Sequence, residues 1–160
     1  GLVPQKAQLF SGTIKDNICF GVHDTSDEEI IQAASIAQAS DFIEQMDGGY
    51  MHEISEGGTN VSGGQKQRLS IARAIIKKPD IYVFDDSFSA LDFKTDAKLR
   101  EALRNATQHS TVIIVAQRVG TVMNADQIIV LDDGRVEGVG KHEDLLENCS
   151  VYREIVQSQI

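Results

Sequence analysis

The run Ile81-Tyr82-Val83-Phe84 constrains the fold of this chain more than any other segment. It is fully apolar and rich in residues that favour β-strands, which predicts a strand buried on both faces of a parallel sheet. A second strand-sized apolar run covers residues 111–116, and a polar segment with helical spacing lies between the two, from Lys94 to Asn105. Because buried strands alternate with helices, the pattern predicts a layered α/β core.

Composition and charge argue against several classes of function. The 160 residues carry 24 acidic and 15 basic side chains, for a formal net charge of −9. This balance argues against a general nucleic-acid binder and against attachment to an anionic membrane surface. Cys19 and Cys149 lie far apart, in neither metal-binding nor redox spacing, which predicts free thiols. No apolar run approaches the roughly 20 residues of a membrane helix, and the chain opens without a signal peptide, as if cut from something longer.

Helical patterns dominate the segment from Asp16 to about Lys77. Ser26 followed by Glu29 predicts a capping box at the start of one helix, and Ser40 is the predicted cap of a second. A Ser-Gly-Gly turn then leads into a third helix. The Asp133-Gly134 pair, between two short apolar runs, predicts a β-hairpin near the end of the chain, followed by two short helices.

The turn Ser62-Gly63-Gly64-Gln65 is a candidate phosphate site. Ser62 is a suitable helix cap, and the two glycines allow another molecule to approach the backbone closely. The free N–H groups and the positive dipole end of such a helix suit a phosphate. Taken by itself, however, the Ser-Gly-Gly pattern is typical of an ordinary capped helix.

Asp85 and Asp86 directly follow the apolar strand that begins at Ile81. Ligands of open α/β sheets bind at the carboxyl ends of strands, so the pair is a site candidate. Asp85 is suited to hold Mg²⁺ through water, and Asp86 is suited to polarise a water for attack on a phosphoryl group. A helix cap or a turn is an equally good interpretation of two aspartates alone.

Five motifs in one fixed order resemble the nucleotide-binding domain of ATP-binding cassette (ABC) transporters, and the resemblance covers essentially the whole chain. They are Gln5 after Val3-Pro4, Val61–Gln65, Ile81–Asp86, Ser89–Asp92 and the loop at Gln117. The resemblance implies an α/β fold, namely a P-loop NTPase (RecA-like) layered core fragment with an inserted α-helical signature subdomain. Residues 8–14, 53–58 and 140–146 look most like the exporter branch.

The resemblance also implies a division of residues 1–160 as a partial nucleotide-binding domain. About residues 1–14 would form the Q-loop region, and about 15–77 the helical subdomain with the signature motif. About residues 78–160 would form the RecA-like core with the Walker B motif, the D-loop and the H-loop.

A role follows from the resemblance for each site residue. Gln5 would be the Q-loop glutamine, contacting Mg²⁺ and water at the γ-phosphate, and Asp85 the Walker B aspartate that holds Mg²⁺. Asp92 closes the D-loop, which would touch the partner across a head-to-tail dimer. The signature motif, which would bind the γ-phosphate of an ATP held by the opposite subunit, consists of Ser62, Gly63, Gly64 and Gln65.

Three departures from the family pattern stand out. The phosphate-cradling G-x-x-x-x-G-K-[ST] loop is absent; in the family it lies upstream of the Q-loop, so the chain resembles the C-terminal two-thirds of a domain. Asp86 stands at the position of the catalytic glutamate, with a carboxylate retracted by about 1 Å, which can cost on the order of 10²-fold in rate. Gln117 replaces the H-loop histidine, so it can hydrogen-bond a phosphate oxygen but carries no positive charge.

These departures lead us to expect the degenerate-site subunit of a heterodimeric exporter that uses ATP and Mg²⁺. It would lie at the cytoplasmic face of the cell membrane, attached through a transmembrane domain, with a second nucleotide-binding domain as its partner and no nucleic acid. Glu56 would face the coupling helices, although Gly57 replaces the usual Arg. Two alternatives remain open: a nucleotide-gated regulatory clamp with no turnover at its own site, and a non-transport ABC ATPase acting on DNA or ribosomes.

We expect the isolated 160-residue chain to show no ATPase activity and weak or absent ATP binding, because the loop that would cradle the α- and β-phosphates is missing. A calorimetric titration of the purified chain with ATP and Mg²⁺ measures the binding. A tight, Mg²⁺-dependent titration would contradict it.

Overall fold

In the computed structural model, which describes residues 1–159, the chain divides after Val115 into two units. The first unit contains strands β1 (Leu2–Val3), β2 (Gly12–Thr13), β3 (Glu53–Ile54), β4 (Ile81–Asp85) and β5 (Thr111–Val115). Its helices are α1 (Ile14–Ile18), α2 (Asp27–Ile36), α3 (Ser40–Gln45), α4 (Gly63–Ile75) and α5 (Phe93–Ala106), with 3₁₀ turns at Gly49–Met51 and Glu56–Gly58. The second unit contains α6 (Val119–Val122), β6 (Ile128–Asp132), β7 (Arg135–Gly140), α7 (His142–Asn148) and α8 (Ser150–Gln157).

A three-stranded parallel sheet in the order β1-β4-β5 forms the centre of the first unit. Val3 pairs with Phe84 and Asp85 pairs with Val115, so the carboxyl ends of the strands meet at one edge. Leu69 and Ile71 of α4 and Leu99 of α5 are fully buried in the same core as Phe84. The α/β prediction is confirmed.

The prediction that the two apolar strands are buried on both faces is wrong. On β4, Tyr82 and Phe84 are 3% and 0% exposed, whereas Ile81 is 51% exposed. On β5, Ile113 and Val115 are 48% and 53% exposed. The physical reason is that core side chains cover only one face of this sheet, and that β5 is an edge strand with no further partner among residues 1–159.

The predicted helix caps are confirmed at Ser26 and wrong at Ser40. The Ser26 hydroxyl accepts from the Glu29 N–H (3.2 Å), and the Glu29 carboxylate accepts from the Ser26 N–H (3.1 Å), which completes the capping box. Helix α3 instead has Ala39 as its N-cap, and the Ser40 hydroxyl is buried without a partner. Gln38 adopts a left-handed conformation (φ 57°) just before Ala39, which places Ser40 inside the helix.

A buried polar network fastens the segment after Gln5 to helix α4. Asn17 is 1% exposed, and its amide oxygen accepts from the Phe10 N–H (2.9 Å) and from the Arg73 guanidinium (3.0 Å). Arg73 also donates to the carbonyls of Asn17 (2.7 Å) and Gln8 (2.9 Å). Burial lowers the pKa of Arg73. Because each buried group has its partner, the network holds this loop in one conformation.

The second unit is a hairpin packed on two helices. Strands β6 and β7 are antiparallel, and Asp133 and Gly134 at the turn have φ of 44° and 74°, which confirms the predicted hairpin. Ile128 and Val130 pack against α7 and α8, and the second of the two free cysteines, Cys149, is buried among them. Among the described residues, no helix combines the length and apolarity needed to cross a membrane.

Candidate functional site

The turn at the start of α4 is held by a complete capping box, with Ser62 and Gly63 exposed and Gly64 and Gln65 half-buried. The Ser62 hydroxyl accepts from the Gln65 N–H (3.2 Å), and the Gln65 side-chain oxygen accepts from the Ser62 N–H (2.9 Å). The first turn of a helix has N–H groups with no partner inside the helix. The box uses those of Ser62 and Gln65, so in the described chain the N–H groups of Gly63 and Gly64 remain available for an anion at the positive end of the helix.

Gly64 lies directly against the loop that follows β4. A Cβ atom at Gly64 would lie 3.4 Å from the Ala90 carbonyl oxygen and 3.7 Å from a Leu91 methyl carbon, whereas a Cβ at Gly63 would meet nothing within 4 Å. A side chain at Gly64 would therefore be in direct van der Waals contact with the Ala90 carbonyl and the Leu91 side chain. The candidate signature turn and the candidate D-loop pack on each other within the same chain.

Arg68 fixes this turn from the other side. Its Nε donates to the Gly64 carbonyl (3.2 Å), and Nη1 donates to the Gln38 carbonyl (2.8 Å). The guanidinium also lies 4.6 Å from the centre of the Phe42 ring, in cation–π geometry. Burial lowers the pKa of Arg68, against the opposing field of Asp92. The first turn of α4 is thereby tied to the helical segment before it.

The structure brings Gln5 and Asp86 together although they are 81 residues apart. The Gln5 Nε2 donates to an Asp86 carboxylate oxygen at 3.3 Å. Asp86 is half-buried in a left-handed conformation (φ 43°), and its N–H donates to the Val115 carbonyl (2.8 Å). A non-glycine residue in this region carries backbone strain, which is often found at functional sites. Asp85, at the end of β4, is exposed.

The donor set at this edge fits a magnesium ion. Asp85, Asp86 and Gln5 supply carboxylate and amide oxygens, the hard ligands that Mg²⁺ prefers. The hydrogen bond to Asp86 uses the Gln5 amide nitrogen, which leaves the Gln5 amide oxygen for a cation. Gln5, Asp85 and Asp86 therefore form a donor set whose chemistry suits Mg²⁺.

Asp92 caps helix α5. One carboxylate oxygen accepts from the Thr95 N–H (3.0 Å), and the other accepts from the Thr95 hydroxyl (2.7 Å). These bonds lower the pKa of Asp92, with the Thr95 N–H as the largest cause. The carboxylate is thus engaged in local structure at the start of α5.

Gln117 lies in the second unit, in the loop between β5 and α6, and its side chain is exposed. The Gln117 carbonyl accepts from the Gln159 side chain (2.7 Å), whose oxygen accepts in turn from the Val119 N–H (2.9 Å). The backbone on either side of Arg118 is therefore held by one amide side chain near the end of α8.

Two buried polar side chains near this site were missed by the motif analysis. Gln67 and Ser87 are 2% and 1% exposed. The signal for Gln67 was its place four residues before Ile71 on the same face of α4, because a polar side chain on a core-facing helix position needs a buried partner. The signal for Ser87 in the sequence was weaker, since a serine after two aspartates is typical of a turn.

Comparison with known proteins identifies the family of this chain. The family model described as "ABC transporter" matches residues 1–89, which is more than half of the chain. An ABC transporter ATP-binding protein of Mycobacterium tuberculosis is 48% identical over 162 residues, covering 99% of this chain and 28% of the relative. The Bacillus subtilis protein YfiB, also described as an ABC transporter ATP-binding protein, is 48% identical over 159 residues, covering 99% of this chain and 27% of the relative.

A solved structure agrees with these relatives. It is described as a bacterial Atm1-family ABC exporter with ATP bound, and the two chains superpose with a TM-score of 0.96 at 41% identity, covering 99% of this chain and 28% of the exporter. This chain thus spans little more than a quarter of the length of each of these three proteins. Its mixed α/β architecture is that of a P-loop NTPase. The chain belongs to the ABC transporter family, and its fold is that of an ABC exporter nucleotide-binding domain.

Proposed function

We propose that this chain supplies the signature motif to an ATP held by a partner nucleotide-binding domain, while its own ATP site is degenerate. The observation that carries the proposal is the capped turn at Ser62–Gln65, exposed at Ser62 and Gly63, whose Gly63 and Gly64 N–H groups are available in the described chain. The turn is well formed, whereas the two residues at the catalytic positions, Asp86 and Gln117, depart from the family pattern.

The partner's site uses only local features of this turn. The available N–H groups and the positive end of α4 stabilise the negative charge of a terminal phosphate. The Ser62 hydroxyl accepts from Gln65 and keeps its own proton to donate to a phosphate oxygen. Packing of Gly64 on Ala90 and the Arg68 bonds hold these donors in place, so little reorganisation is needed when the partner approaches.

The chain's own site is short of catalytic groups. Mg²⁺ bound with ATP would supply charge neutralisation at the γ-phosphate, held by Asp85 and Gln5. Asp86 is suited to orient a water, but its stem is one methylene shorter than glutamate, and Gln5 already donates to its carboxylate. Gln117 remains neutral, so it supplies a hydrogen bond without a positive charge. We therefore assign slow or absent turnover to this site.

The coupling surface of this domain is proposed to lie beside the Q-loop. A cleft of about 590 Å³ is lined by residues 7–11 and by Glu56 and Gly57. Next to it, the rings of Phe10 and Phe20 stack with centroids 4.5 Å apart although they are 43% and 52% exposed. The Arg73 guanidinium lies 5.1 Å from the Phe10 ring centre. An exposed aromatic pair beside a cleft is typical of a docking surface, here for a coupling helix of the transmembrane domain.

The proposed subdomains follow the motifs. About residues 1–14 would carry the Q-loop, about 15–77 would form the signature subdomain and about 78–160 would form the core. A transmembrane domain would attach the whole to the cytoplasmic face of the membrane. A regulatory clamp that closes on ATP without turnover at its own site is the second candidate function, favoured by the same Asp86 and Gln117. The net charge of −9 disfavours the third candidate function, an ATPase acting on DNA or ribosomes. Salt-dependent nucleic-acid binding would support that candidate.

Repair of the degenerate site should raise turnover. In the full-length transporter with its partner, we expect Asp86→Glu with Gln117→His to increase ATPase activity about tenfold, because the longer carboxylate reaches the water and the imidazole can carry charge. Steady-state phosphate release measures it. The control is Asp126→Glu with Gln127→His, the same two changes at neighbouring exposed positions. Rapid ATP hydrolysis by the wild-type subunit as a homodimer would refute the degenerate-site assignment.

Damage to the signature turn should act on the partner. Gly64→Asp should remove most of the ATPase activity of the assembled transporter, at least about 10²-fold. The added carboxylate crowds the Ala90 carbonyl and repels the partner's phosphate. Turnover is measured together with thermal unfolding to show that the variant folds. The matched control is Asn105→Asp, which adds the same charge on the exposed surface of α5. Full activity of Gly64→Asp would exclude a role for this turn in trans.

Loss of the aromatic pair should uncouple ATPase activity from transport. We expect Phe20→Ala to leave basal ATPase activity within about twofold and to abolish its stimulation by transported substrate, because the ring contributes to docking and not to the ATP site. Stimulated and basal rates are compared in proteoliposomes. Ile31→Ala serves as the control, since Ile31 on α2 is exposed to a similar degree (49%). Equal loss of stimulation in both variants would contradict a specific docking role.

A further inference from the structure

Two buried side chains from different parts of the chain, Gln67 and Ser87, hold the backbone immediately before Gln5. The Ser87 hydroxyl donates to the Val3 carbonyl at 2.9 Å, and the Gln67 side-chain amide donates to the Pro4 carbonyl at 3.2 Å. Both side chains are almost completely buried, at 1% and 2% exposed. Since Gln67 belongs to α4 and Ser87 follows β4, the start of the Q-loop is tied at once to the signature helix and to the Walker B strand.

These carbonyls lie where strand β1 gives way to loop. Val3 is the last residue of β1 and the partner of Phe84, and Pro4 has no N–H to donate. The sheet therefore no longer positions the chain beyond Val3. A buried carbonyl without a donor is destabilising, so the two side chains help to fix the path of the backbone into Gln5.

Ser87 also directly follows Asp86, which accepts the hydrogen bond from Gln5. Its hydroxyl oxygen lies 3.3 Å from the Asp85 carbonyl, and the Ser89 hydroxyl donates to the Asp86 carbonyl at 2.9 Å. The Gln5–Asp86 hydrogen bond itself is long, at 3.3 Å. A bond at this length weakens with any further separation, so its strength depends on how well both backbones are held.

We propose that Gln67 and Ser87 are positioning residues that set the placement of Gln5 against Asp86. Neither touches the reacting atoms; both act through the backbone of Val3 and Pro4. Through Gln67, a shift of α4 is transmitted to the residue next to Gln5, which connects the signature turn used by the partner with the Q-loop of the chain's own site. The catalytic role of Gln5 in this inference rests on the proposed function. The placement of Gln5 by Gln67 and Ser87 does not.

The placement is tested by amide hydrogen exchange of the full-length transporter, followed by mass spectrometry of a peptide covering residues 4–10. Ser87→Ala and Gln67→Met each remove one donor, and each should accelerate exchange in this peptide about three- to tenfold. Ser87→Thr, which keeps the hydroxyl, should restore the slow exchange. The control is Thr107→Val, which removes another buried hydroxyl (7% exposed) that donates to the Leu103 carbonyl at 2.7 Å. Unchanged exchange in Ser87→Ala overturns the proposal; if Gln67→Met fails to fold, Ser87→Ala and its rescue decide.

The catalytic consequence is tested by a double-mutant cycle in the Asp86→Glu, Gln117→His background, where activity gained over wild type reports the chain's own site. Ser87→Ala should lower the gained kcat about three- to tenfold with an unchanged KM for ATP. It should have no further effect once Gln5→Ala is present. Additive effects of Ser87→Ala and Gln5→Ala would show a merely structural role. If the background itself gains no activity, the proposed function fails, while hydrogen exchange still decides whether Gln67 and Ser87 hold the loop.

Discussion

The parallel pairing of β1 with β4 is the contact on which the candidate site depends. Val3 faces Phe84 across this pairing, and both side chains are fully buried, so the register of the two strands is set by the core. Because the strands are parallel, their carboxyl ends emerge at the same edge. Gln5 and Asp86 each follow two residues after that pair, and they meet there. A register slip by one residue would turn Val3 out of the core and separate the two side chains.

Helix α4 combines a buried middle with an accessible first turn. Its middle buries Leu69, Ile71 and Ala72 in the core of the first unit. Its first turn is left exposed, with a capping box that satisfies part of its backbone and leaves the two glycines open. The rigidity of the buried part positions the exposed part, as expected for a site on a regular element. The same helix carries Gln67, whose side chain donates to the Pro4 carbonyl just before Gln5, so α4 contacts both parts of the candidate site.

Sequence patterns predicted the regular elements well and burial poorly. The capping box at Ser26, the helix cap at Ser62 and the hairpin at Asp133-Gly134 depend on residues a few positions apart, so local chemistry decides them. Burial of Ile81 and Ile113 depends on what lies over the sheet, which the apolar character of a strand does not reveal. Ser40 shows the same limit on a smaller scale, because a left-handed residue at Gln38 moved the start of α3 by one residue.

The amino-acid sequence by itself determined the α/β class, the order of the motifs and the membership of the ABC family, because each rests on local spacing or on residue identity. Tertiary structure decided which distant residues meet. Gln5 lies against Asp86, Gly64 against Ala90, and the carbonyls before Gln5 against Gln67 and Ser87. These contacts join residues separated by tens of positions, so they follow from strand register and helix packing and not from any local pattern.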